Sequence, residues 1–227
     1  MPQRGFVLIE VAIALLVLAL ILGGILAPLN AQVEQGKIRD TNKVISDINE
    51  AMLGYVMING RLPRPATSST SGVENASACA SEAACTGFIP WTTLGSGKLD
   101  AWDNIIRYSV PPAFANAAFA LTTVGTKTIQ ERNAAGTLVD YATNVPVIVW
   151  STGPENFGTN GTGAVRANNS SGVTNADEIT NNTASTTFIR RIQVNNSAAT
   201  GGEFDDIVTF IPTAILVNKA IAAGKLP

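Results

Sequence analysis

The sequence holds no histidine. Ser-His-Asp and Cys-His nucleophile systems are thereby excluded, and with them every His-ligated metal site. Cysteine is nearly as scarce, with Cys79 and Cys85 the only two. An excess of basic residues is also missing: 15 Lys and Arg stand against 17 Asp and Glu. Nucleic-acid binding through bulk charge usually leaves the opposite footprint. Charged residues of both signs make up only 14% of the chain, against about 25% in average soluble domains. A length of 227 residues allows one ordinary domain with an appendage, or two small ones, and excludes a large multidomain enzyme.

The charge deficit has a location. Residues 6–29 contain 20 apolar residues out of 24, and Glu10 is their only charge. From Val11 to Val33 there are 23 consecutive uncharged residues, which meets the roughly 20 needed to cross a bilayer core. A cleavable signal peptide fits poorly, because its apolar region is shorter, lacks a carboxylate and ends at a small-x-small site. A plain signal anchor fits the length but gives no reason for Glu10, since a charge within a membrane helix costs about 2.5–3.5 kcal/mol or more.

The helical pattern continues past Pro28. Val44, Ile45, Ile48, Met52, Tyr55 and Val56 recur at helical spacing, with Asp40, Lys43, Asp47 and Glu50 on other faces. One helix is predicted from residue 6 to about 58, loosened around Gly23, Gly24 and Pro28, and stopped by Gly60 and Pro63. Short β-branched or aromatic runs at 105–110, 119–124, 137–142, 145–150, 188–194 and 207–211 predict strands. Residues 153–187 read as a long Gly/Asn/Ser/Thr surface loop, and 213–224 as a terminal helix. Gly158, Gly161 and Gly163 lack the spacing of a phosphate-binding loop. Arg190 and Arg191, adjacent in an expected strand, read as solvated strand edges. Trp91, Trp102 and Trp150 read as core. The fold class is α+β: a long N-terminal helix packed on a mostly antiparallel sheet with long loops.

The string Arg4-Gly5-Phe6-Val7-Leu8-Ile9-Glu10 resembles the leader junction of type IV pilins and type II secretion pseudopilins. Leu62-Pro63-Arg64-Pro65, Asp100-Ala101-Trp102-Asp103-Asn104, Val147–Gly153 and Phe204-Asp205-Asp206 resemble later stretches of pseudopilins, with Ala101 and Asp103 in place of the usual Pro and Gly. The resemblance implies a pilin-like fold and cleavage by a prepilin peptidase between Gly5 and Phe6. It further implies N-methylation of Phe6 and a filament-assembly role for Glu10. Partners implied are other pilin or pseudopilin subunits, an assembly ATPase, a platform protein and inner-membrane lipid, with no nucleic acid. The domain is longer than that of a compact major pseudopilin, which points to a minor pilin-like member.

On this reading residues 1–5 are a leader, 6–59 the N-terminal helix with 6–29 in the membrane, and 60–227 a β-rich domain in the periplasm. The work is structural rather than catalytic. The alternative is a membrane-anchored periplasmic binding domain that never polymerises. The orientation places Cys79 and Cys85 outside the cytoplasm, where thiols oxidise, so a disulfide is expected. For Asp205 and Asp206 two readings stay open: an exposed acidic turn, or a calcium site as in the corresponding region of some pseudopilins. No other cofactor is implied.

Overall fold

The structure, a computed structural model, describes residues 8–168, 175–183 and 185–226, without the side chains of 22–28. The fold is α+β. The chain divides into two compact units, Met1–Asp40 and Thr41–Pro227. Helix α1 (Leu8–Asn59) supplies the described part of the first unit and opens the second. Its assignment runs unbroken through Gly23, Gly24 and Pro28.

In the second unit α1 buries Thr41, Ile45, Ile48, Met52 and Val56, a stripe at three- and four-residue spacing. Val44 and Tyr55 flank it half-buried. The helix stops where sequence reasoning placed the stop: Gly60 takes φ 68°, and its N–H closes on the Val56 carbonyl at 2.8 Å. A left-handed residue after the last turn favours glycine for want of a Cβ.

Strands β1 (Thr86–Phe88), β2 (Arg107–Ser109), β5 (Val147–Ser151) and β7 (Ile207–Ile211) form an antiparallel sheet in the order β1-β2-β5-β7. Every residue of β5 is buried, because both faces of this sheet are covered. Tyr108, Val147, Val149 and Ile211 join the core around α1. Ile148 and Trp150 pack instead on Ile129, Val145 and Phe188 of a second sheet. That sheet has β3 (Lys127–Arg132) between β4 (Leu138–Val145) and β6 (Thr187–Ile189), and its β3–β6 pair is parallel. Pro146 separates β4 from β5. Lacking an N–H, it interrupts the ladder where the chain passes between sheets. Burying an aliphatic or aromatic side chain contributes about 1.5–3 kcal/mol, so these two clusters hold the unit together. Short helices α2 (Trp91–Leu94) and α3 (Pro112–Ala115) lie in the connections, and α5 (Thr213–Ala222) buries Leu216 and Ala220.

Several expectations need correction. Two sheets replace the single one, and one of their pairings is parallel. Residues 119–124 form a turn, because Phe119 packs on Phe114 and its N–H bonds the Gly60 carbonyl, leaving Leu121 and Val124 exposed. Within the supposed surface loop lies helix α4 (Ala176–Thr183), with Asp177, Glu178 and Asn181 buried. Arg191 is no solvated edge: its guanidinium bonds Asp177 at 2.6 Å and the carbonyls of Thr200 and Gly202. Arg190 stacks over Tyr141, 4.3 Å from the ring centre.

Glu74 fastens the loop after α1. It accepts Tyr55 Oη and Arg61 Nη2 at 2.8 Å, Arg61 Nη1 at 2.9 Å and the Arg64 N–H at 3.0 Å. Burial raises its pKa, but these donors and the Arg61 charge outweigh it and hold the carboxyl down at about 2. A depressed carboxylate pKa contributes stability that is complete above the unfolded value and lost as pH falls through the folded one. Glu74→Gln is therefore expected to lower the melting temperature at neutral pH. Its deficit should shrink as pH drops from about 4.5 to about 2. Thermal melts of both proteins across that window check this, and a deficit that persists at pH 2 contradicts it.

Candidate functional site

Two separate regions hold the residues singled out in the sequence. In the first unit, Gly5 and Phe6 lie outside the described residues, and Glu10 stands in the first turn of α1. Residues 8–21 are all exposed, and all but Glu10 are apolar. Leu8, Leu20 and Leu16 show 87%, 69% and 62% of their surface. Scattered exposed aliphatics are ordinary, but a continuous apolar helix surface marks a place that something else covers. Among the described residues no helix is long and apolar enough to cross a membrane. The expected span, residues 6–29, falls only partly within them: 6 and 7, and the side chains of 22–28, lie outside.

In the second unit, three stretches distant in sequence meet. Asp100 draws the first two together. Its Oδ1 accepts the N–H groups of Trp102 and Asn104 at 2.9 and 2.8 Å, and its Oδ2 accepts Ser151 Oγ at 2.6 Å. Asn104 Nδ2 donates to the Gly153 carbonyl at 2.6 Å. Asp205 closes on the same turn from the third stretch. A Cβ on Gly153 would sit 2.4 Å from Asp205 Oδ1, and Gly153 itself has φ 66°. Only glycine permits that approach.

Asp205 and Asp206 do not act as one clamp, because their carboxylates turn to different partners. Asp206 is 5% exposed, and its Oδ2 accepts Asn181 Nδ2 at 2.7 Å. Burial pushes its pKa far up, and Asn181 and the Arg107 charge reduce that only in part. Asp205 Oδ2 accepts the Glu155 N–H at 3.0 Å, while the Asp205 N–H donates to Glu178 Oε1 at 2.9 Å. Burial, reinforced by the Glu178 and Asp206 charges, also drives the Asp205 carboxyl far above the carboxylate range.

Three buried oxygens around this turn accept no hydrogen bond among the described residues: Asp205 Oδ1, Asn104 Oδ1 and Thr152 Oγ1. The last two lie 3.2 and 2.4 Å from where a Gly158 Cβ would be. An unsatisfied buried polar atom costs about 1–3 kcal/mol. A carboxylate, an amide oxygen and a hydroxyl are hard oxygen donors of the kind calcium takes, and they are three of the six to eight it requires. Among the described residues no three His, Cys, Asp or Glu gather in a metal-holding group. Neutral oxygens would therefore have to supply most of the shell.

Cys79 and Cys85 form a disulfide, with Cα atoms 5.3 Å apart. Both cysteines are buried in the main core. Asn116 holds the Cys79 end, accepting its N–H at 3.0 Å and donating to its carbonyl at 2.9 Å. Sequence reasoning missed α4 and its Glu178 and Asn181. The acidic pair Asp177-Glu178 is a helix-start signal that points to it.

Compared with protein-family models, curated proteins and solved structures, the chain matches none.

Proposed function

We propose that this chain is a prepilin-like structural subunit of a bacterial type IV pilus or type II secretion pseudopilus, and a minor pilin-like member rather than an enzyme. The observation that supports this best is the uncovered apolar helix surface of residues 8–21, interrupted only by Glu10. The subunit waits in the inner membrane with its second unit in the periplasm. After a prepilin peptidase cuts behind Gly5 and the Phe6 amine is methylated, an assembly ATPase and platform protein move it into a filament of bundled helices. Exchanging lipid for neighbouring helices is nearly neutral in hydrophobic terms, so packing and polar contacts decide the balance.

Calcium belongs to the same reading. Asp205, Asn104 and Thr152 would hold it, and its positive charge would stabilise the ionised Asp205 carboxylate. The chain itself fixes the turn through Asp100, Ser151 and Gly153.

Shearing filaments from producing cells tests the assignment. The chain is expected in the sheared fraction when the assembly ATPase is present and absent from it when the ATPase is deleted. A chain confined to the membrane in both strains is the result of an anchored domain that does not polymerise.

A further inference from the structure

The middle of the Cys79–Cys85 loop carries a carboxylate that reaches the second sheet. Glu82 Oε2 lies 2.5 Å from Lys127 Nζ, and Glu82 Oε1 accepts Thr126 Oγ1 at 2.7 Å. Lys127 opens β3 and its side chain has 0% exposure. The same ammonium donates to the Ser185 carbonyl, two residues before β6 begins. One buried cation thus ties together the loop leading into β1 and the starts of β3 and β6. The parallel β3–β6 ladder begins at Thr128 and Thr187, directly beyond this junction.

A lysine so deeply buried is tolerated only while a carboxylate faces it, because an uncompensated charge away from water is costly. Glu82 is the sole charged residue between the two cysteines. Its side chain keeps 25% exposure, so water competes for it. Both ends of the loop that carries it are held. The Cys79 end rests on Asn116, and the Cys85 carbonyl accepts the Val110 N–H at 3.1 Å. The covalent bond between the cysteines fixes the span that presents Glu82.

We propose that the Cys79–Cys85 disulfide is an oxidation-dependent clasp: its formation seats Glu82 on Lys127 and locks the β3–β6 end of the second sheet against the first. In forming it, two thiols give up two electrons and two protons to an oxidising protein disulfide, which becomes a dithiol, and an Sγ–Sγ bond results. A dithiol reductant reverses the exchange. The newly exported subunit then gains its second sheet's full rigidity only after oxidation.

Amide hydrogen exchange on the full chain in detergent tests this. Cys79→Ser/Cys85→Ser is expected to speed exchange at residues 127–130 and 187–189 by about tenfold, with residues 147–151 unchanged. Glu82→Gln with the disulfide intact should speed the same segments by a similar factor and add nothing further in the serine double variant. Lys127→Met removes the buried charge, so exchange there should no longer respond to Glu82→Gln or to loss of the cysteines. If the serine variant does not fold, the wild-type chain treated with a dithiol, and shown by intact mass to be reduced, gives the same readout. Unchanged exchange at 127–130 on losing the disulfide overturns the clasp. So do effects of Glu82→Gln and cysteine loss that simply add, or a response that survives Lys127→Met.

Discussion

Glu10→Ala subunits are expected to enter the membrane and to be cut after Gly5, yet to be depleted from filaments by about tenfold or more. Removing a carboxylate from an apolar helix makes insertion easier by about 2.5–3.5 kcal/mol. A defect in the variant therefore cannot arise from failure to insert. On the proposed reading, Glu10 would supply an interaction with a neighbouring subunit. On that reading, cleavage would give Phe6 a free amine four positions before Glu10 in the sequence, and the carboxylate of a neighbouring subunit would neutralise it inside the apolar bundle. Opposite charges buried together are tolerated where either alone is not, and removing one of them costs on the order of 3–5 kcal/mol. Since about 1.4 kcal/mol is a factor of ten, the expected depletion is a lower bound. Such a pairing would also fix axial register, because one stagger alone would bring each amine to the next carboxylate. Quantitative blotting of membrane and sheared fractions measures the effect. Wild-type recovery of Glu10→Ala in filaments contradicts it.

The second large effect concerns the turn around Gly153. Asp205 keeps its proton in the folded chain well above the pH at which the unfolded chain releases it, because burial and the Glu178 and Asp206 charges disfavour the carboxylate. With the folded pKa raised, the proton-linked stability is fully present below the unfolded value of about 4. It is lost as pH rises through the folded pKa. Asp100 and Asp206 are shifted upward too, so they act in the same direction. Metal-free protein is thus expected to be less stable at pH 8 than at pH 5. Calcium bound as proposed would replace the proton on Asp205, so its stabilising effect should grow over the same interval. At a calcium concentration of about 100 Kd the gain is about 2.7 kcal/mol. For a chain of this size that corresponds to a rise in melting temperature of about 5–10 °C. Asp205→Asn is expected to abolish the calcium response and weaken the pH dependence. A melting temperature that calcium does not move at pH 8 sinks the site.

How far the sequence carried these conclusions depends on the range of the forces involved. The α1 stripe from Ile45 to Val56 was legible because helical periodicity is a local property. Strand β5 was legible because Val147 to Trp150 is uniformly apolar and β-branched or aromatic. The terminal helix was found to within two residues at its end. Strand β3 escaped because Lys-Thr-Ile-Gln-Glu-Arg carries a single aliphatic residue. Its burial rests on Glu82, 45 positions away, facing Lys127, and on Asp177, equally far away, facing Arg132. Helix α4 escaped because Asn and Thr favour turns, while Asn181 is held by both the N–H and the carbonyl of Ile189. Asp205 and Asp206 were visible as an acidic pair, but their divergence was not. Asn104 and Thr152 became candidates only once folding had left their oxygens buried and unpaired.

Everything proposed for filament assembly rests on the leader being removed between Gly5 and Phe6. Intact-mass and amino-terminal analysis of the chain purified from membranes of a cell that makes prepilin peptidase decides this directly. The expected product begins at Phe6, lacks the five residues Met1 to Gly5 and carries one added methyl group on its terminal amine. In a peptidase-deficient strain the same chain should keep its leader. A chain that retains Met1 to Gly5 in both strains would contradict the pilin-like assignment and leave an anchored domain in its place.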